Sequence, residues 1–256
     1  MKKVWIYLNS GVSLILLIQL IQKCYPLIDN YFIGQLGSQA LLIHNIYVTF
    51  ALIAQYVGYA TATTCLILWQ QNEYTSQRDF GAFFVFTFLG TFICFLPIIL
   101  FLPKWIDHFH VSSLYVLSAV HYLWLGSLCT IIFSGFYYLV MVNNGIKKYA
   151  LSLYFTIALA VFTIVMNWIG VTRFHWVVQS LLFIIFSKIM IGAFIVILFL
   201  GFSMHIHFLR GVRSFWRIST TGYKILLSEL SSGMITALYP IIFIFQLAVV
   251  LSLIHI

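Results

Sequence analysis

The sequence predicts an all-α fold, a polytopic helical membrane protein of about seven transmembrane helices. Hydrophobic residues make up 63% of the 256 and charged residues only 7%, with a mean hydropathy of +1.07. That leaves too little polar surface to cover a globule in water. The apolar residues also gather into runs of about 20 or more, the length that crosses a hydrocarbon core of about 30 Å. Short breaks rich in Gly, Asn, Gln and charge separate the runs: GQLGSQ, QQNEYTSQRDFG, LPKWIDHFHVSS, NNGIKK and TRFH.

The first run covers residues 4–33. Its opening, MKKVWIYLNSG, places two lysines before an apolar stretch as a secretion signal does, but no small-residue cleavage site follows and the run continues to Asp29. It is expected to be a retained helix. Gln19, Gln22, Lys23, Pro26 and Asn30 recur at steps of three and four, so they share one face, with Asp29 at its edge. A charge at the bilayer centre costs roughly 2.5 to 3.5 kcal/mol. Each leucine returns only about half a kcal/mol, so some five or six are needed to offset it. The stripe is therefore expected to face protein or a water-filled cavity, with Asp29 as a titrating gate. Pro26 should free the carbonyl of Gln22 and bend the helix beside Asp29.

The later runs cover 41–70, 81–102, 113–142, 150–171, 176–202 and 225–250. Cys24, Cys65, Cys94 and Cys129 fall one in each of the first four runs, with no CxxC pair, and read as packing residues. Lys188 stands near the middle of the sixth run, where a carbonyl or carboxylate of the bundle should receive it. Either Lys23 or Lys188 could fasten Asp29 in a purely structural ion pair. Lys23 lies six residues before Asp29, about 120° around an unbent helix, and would need the bend to reach it. Glu229, early in the seventh run, suits a helix N-terminus.

Lys2, Lys3, Arg78, Lys147, Lys148, Arg210, Arg213, Arg217 and Lys224 fall on one side of this arrangement, and only Lys104 and Arg173 on the other. Cytoplasmic loops keep the excess of Lys and Arg, so the N-terminus is expected in the cytoplasm and the chain in a plasma or inner membrane. The net charge of +8 is scattered over short loops, which disfavours a nucleic-acid partner. The basic stretch 203–224 reads as an interfacial, cytoplasmic linker.

The pairs HFH at 108–110 and HIH at 205–207 lie on opposite sides and cannot share a metal ion. His44 and His121 are expected to play ordinary hydrogen-bonded or interfacial parts. No Gly-rich phosphate loop, Ser-His-Asp pattern or spaced pair of carboxylates occurs. The reading is of a non-enzyme without metal or organic cofactor.

The stretch LIDNYFIGQLGSQAL resembles the end of the first helix of the multidrug and toxic-compound extrusion (MATE) transporters. The following YVGYATATTCLILWQQNEYTSQRDFG is similar to their second helix and first cytoplasmic loop. The resemblance implies a six-helix N-lobe at 1–202, an inter-lobe linker at 203–224 and the first helix of a C-lobe at 225–250. It implies an ion-coupled antiporter, with a proton or sodium ion as coupling ion, that exports small organic compounds, cations among them, by alternating access. Asp29 would be the acid of the N-lobe cavity, Tyr122 a tyrosine of helix four, and Thr163 and Asn167 polar positions of helix five. Asn30, Lys23 and Lys188 complete the expected set around the ion and substrate cavity. Relatives carry an acid followed by proline where this chain has Asn167 and Trp168, which leaves the coupling ion and substrate open. The rival within the same superfamily is a lipid-linked precursor flippase, whose cavity should be more basic. A membrane-embedded enzyme and a non-transporting scaffold are rivals of other classes.

The chain closes ALYPIIFIFQLAVVLSLIHI, inside the seventh run, whereas the resembled family has twelve helices. Residues 251–256, LSLIHI, look like the translated transposon end used to prepare sequencing libraries. They are expected to be non-native, with the chain's own C-terminal lobe as the missing partner; the alternative is a natural half-transporter that dimerises.

Overall fold

The computed structural model describes residues 11–70, 77–108, 111–174, 176–203, 222–232 and 235. Six long helices follow one another: α1 (Gly11–Gly34), α2 (Ser38–Gln70), α3 (Gln77–His108), α4 (Val116–Gly145, entered through a 3-10 turn at Ser113–Tyr115), α5 (Tyr149–Arg173) and α6 (Val177–Ser203). All six contain a stretch long and apolar enough to cross a membrane, and the chain is an integral membrane protein. A further helical stretch covers 222–232, where the seventh run begins. Most of the 203–224 linker, the HIH pair, residues 236–250 and the closing 251–256 lie outside the described residues.

α2, α3 and α5 exceed their apolar runs because the polar break residues continue the backbone hydrogen bonds. α2 has 33 residues and α3 has 32, each about 50 Å long at 1.5 Å per residue. Two breaks are turned by left-handed residues. Gly37, at φ +110°, ends the link between α1 and α2. Lys147, at φ 64°, turns α4 into α5, with the Ile146 and Lys148 N–H groups donating to the carbonyls of Val142 and Asn143.

α4 is the central helix. It packs on α2, α6 and α3, while α1 packs on α5 and α2, and α5 packs on α6. These contacts close a ring in the order α1, α2, α4, α6, α5, with α3 outside against α2 and α4. The α2–α4 contact is close because of Gly58, where a Cβ would lie 2.5 Å from the Ser134 carbonyl oxygen. At the periphery α1 turns Leu16, Leu20, Leu27 and Tyr31 outward, as a lipid-facing helix does. It buries only Ile18, Asp29 and Ile33. The expected polar stripe is thus divided by the fold: Gln19 and Lys23 are exposed, Gln22, Pro26 and Asn30 half-buried, and Asp29 fully inside.

Candidate functional site

Four ring helices bring a polar side chain to one depth. Asp29 lies five residues from the end of α1, and Asn167 six from the end of α5. His44 and Tyr122 lie six residues from the starts of α2 and α4. These four helix ends share one side of the bundle, and all four side chains sit about 8 to 9 Å below it. Lys188 is eleven residues into α6, about 16 Å deep, and its long side chain runs back up to the others.

The contacts converge on Asp29, whose residue is 2% exposed. The Asn167 amide Nδ2 donates to Asp29 Oδ1. Lys188 Nζ donates to Oδ2 at 2.6 Å, and His44 Nε2 stands 3.1 Å from the same oxygen. His44 Nδ1 and the Tyr122 hydroxyl are 2.8 Å apart. A neutral imidazole with its proton on Nε2 toward the carboxylate would leave Nδ1 to accept from Tyr122. Lys188 also lies 6.0 Å from the ring centroids of both Tyr25 and Tyr47, within the range of a cation–π contact. Gly126 makes room for this arrangement, since a Cβ there would meet Tyr47 Cδ2 at 2.6 Å.

Of the residues expected at the site, Asp29, Asn167 and Lys188 touch directly. Tyr122 joins them through His44. Thr163 is buried one turn deeper on α5, and its hydroxyl donates to the Leu159 carbonyl of its own helix. Asn30 is half-buried, with its Oδ1 enclosed and without a hydrogen-bond partner among the described residues. Lys23 does not reach Asp29; it is exposed and lines a cavity of about 90 Å³ that opens beside the cluster. Gln22, Pro26 and Asp29 line that cavity from α1, Tyr47 and Gln55 from α2, and Thr130 and Tyr137 from α4. Along its wall Gln55 Nε2 donates to the Tyr59 hydroxyl at 3.2 Å, and that hydroxyl donates to Gln22 Oε1 at 2.9 Å.

His44, Tyr25 and Tyr47 were not among the expected site residues. A signal for His44 was present: His44, Tyr47, Gln55 and Tyr59 fall close to one face of α2. It is masked by intervening alanines and aliphatic residues, and tyrosine in a membrane helix reads equally as an interfacial anchor.

No family model matches the sequence, and no curated protein matches it. Solved structures do share its fold. The chain is similar to the Vibrio cholerae MATE transporter VcmN in its bent form, with TM-score 0.72, 16% identity, and coverage of 96% of this chain and 57% of that one. It is similar to a MOP superfamily transporter from Pyrococcus furiosus described as having a binding pocket of reversed polarity, with TM-score 0.67, 16% identity, and coverage of 89% and 51%. The eukaryotic MATE transporter AtDTX14 aligns with TM-score 0.61 and 15% identity over 88% of this chain and 50% of that one. The chain spans about half the length of these structures, and its fold is a MATE-like half.

Proposed function

We propose that the chain forms one six-helix lobe of an ion-coupled secondary transporter that moves small organic compounds by alternating access. A second lobe would complete the cavity. The observation that supports this most directly is Asp29: a carboxylate inside a ring of five spanning helices, held by groups from three of them and open to a cavity with polar groups on its wall. A buried charge in a membrane helix is costly and marks an ion or substrate path. In this reading 1–202 is the N-lobe, 203–224 the cytoplasmic link, and Asp29 the coupling group in the outer half of the membrane. Helix rocking would change its access and its partners.

The test is counterflow in proteoliposomes holding the protein translated from its whole source locus. A panel of labelled organic cations should exchange under an imposed pH or sodium gradient, and Asp29→Asn should abolish the flux with membrane insertion intact. Undiminished ion-coupled flux in that variant rejects the role of Asp29. The absence of exchange across the panel rejects the transporter of organic cations. One observation favours the flippase as second reading: among the described residues Lys23 has no carboxylate within ion-pair distance, and it faces the cavity as a free cation suited to an anionic headgroup. Protection of labelled lipid headgroups from an external reagent would then replace cation exchange as the positive result.

A further inference from the structure

The Asp29 carboxylate is already fully engaged by the protein. Oδ1 accepts from Asn167, and Oδ2 accepts from the Lys188 ammonium with the His44 ring at its other flank. A sodium ion at a protein site requires several oxygen ligands around it. The groups facing Asp29 and Lys188 are Tyr25 from α1, His44 and Tyr47 from α2, Tyr122 and Cys129 from α4, and Thr163 and Asn167 from α5. None of these is a second carboxylate, and the two tyrosine rings already face the ammonium. A soluble cation arriving at Asp29 would have to displace an ammonium held 2.6 Å away by its own helix. The tethered group has a large effective concentration, because no translational entropy is lost each time it binds.

We propose that Lys188 is a tethered cation occupying the ion site of Asp29, so that the site excludes sodium. The proposal rests on the transporter reading and removes sodium from the coupling ions that reading leaves open.

The prediction is tested on the 256-residue chain in lipid nanodiscs, by thermal unfolding and by binding of radioactive sodium. The wild type should show the same melting temperature in sodium and choline chloride at equal ionic strength, and no displaceable sodium. Lys188→Ala should melt lower by roughly 10 °C, as expected for an unpaired buried charge. Sodium or methylammonium, which can enter the space left at Asp29, should restore part of that loss. The double variant Asp29→Asn with Lys188→Ala should show no such recovery. Sodium that raises the wild-type melting temperature, with the effect lost in Asp29→Asn, overturns the proposal. So does a Lys188→Ala protein that no small cation restores. Should Lys188→Ala fail to fold, Lys188→Gln and the wild-type sodium measurement decide: displaceable sodium bound to the wild type and lost in Asp29→Asn overturns the proposal, and its absence from the wild type with its appearance in Lys188→Gln supports it. Because these readouts are binding and stability, a failure of transport leaves this result standing, and a failure here leaves organic-compound transport intact.

Discussion

Polar side chains occupy this apolar bundle in two regions, and they are satisfied in opposite ways. Along α2, α3 and α4 the buried hydroxyls of Thr64, Thr91, Ser127 and Thr130 each donate to a carbonyl four residues earlier in their own helix. In the ring around Asp29 the partners come from other helices, far apart in the chain. A hydroxyl bonded to its own helix brings its solvation with it and can sit anywhere in the bundle. A carboxylate and an ammonium have no such local solution, so the tertiary structure must bring them together. How a polar group is satisfied, rather than its presence, separates the candidate site from ordinary packing.

The sharpest way to break this contrast is to remove the charge at its centre. Asp29→Asn leaves the Lys188 ammonium buried and unpaired, and should lower stability by roughly 3 to 5 kcal/mol, read from thermal or denaturant unfolding in nanodiscs. The same measurement on Asp29→Leu with Lys188→Met should find the double variant well above the sum of the single losses. Apolar replacement of both partners is close to neutral, giving a coupling of about 2 kcal/mol or more. Strict additivity would mean that the pair is not a unit. In the other region, Thr64→Val removes a hydroxyl that donates to the Ala60 carbonyl of its own helix at 2.8 Å. Its cost should be about 0.6 kcal/mol, the smallest of the three. A larger loss there than at Asp29 would reverse the ranking of the two regions.

Much of the fold was legible because it depends on composition and run length alone. Six apolar runs with polar breaks become six helices whose ends, where described, differ from the expected ones by a few residues, most where α3 continues through residues 103–108. Asp29 and Lys188 were legible as costly charges for the same reason: a charged residue in an apolar run shows in the sequence wherever its partner lies. The stripe on α1 was less legible. Periodicity groups Gln19 through Asn30 on a face, but only the neighbours of α1 decide which part of that face is covered, and they cover Asp29 while leaving Gln19 and Lys23 exposed.

The sequence by itself determined an all-helical, membrane-embedded chain with few charges inside it, because the hydrocarbon core sets both the length of a span and the penalty for a charge. Only the tertiary structure decided that Lys188, and not the nearer Lys23, pairs with Asp29, and that His44 and Asn167 complete the cluster. The choice depends on the order of helices around the ring and on their rotation. Residues 159 positions apart become neighbours at 2.6 Å because α6 and α1 both line one interior, while six residues along α1 turn Lys23 to another face.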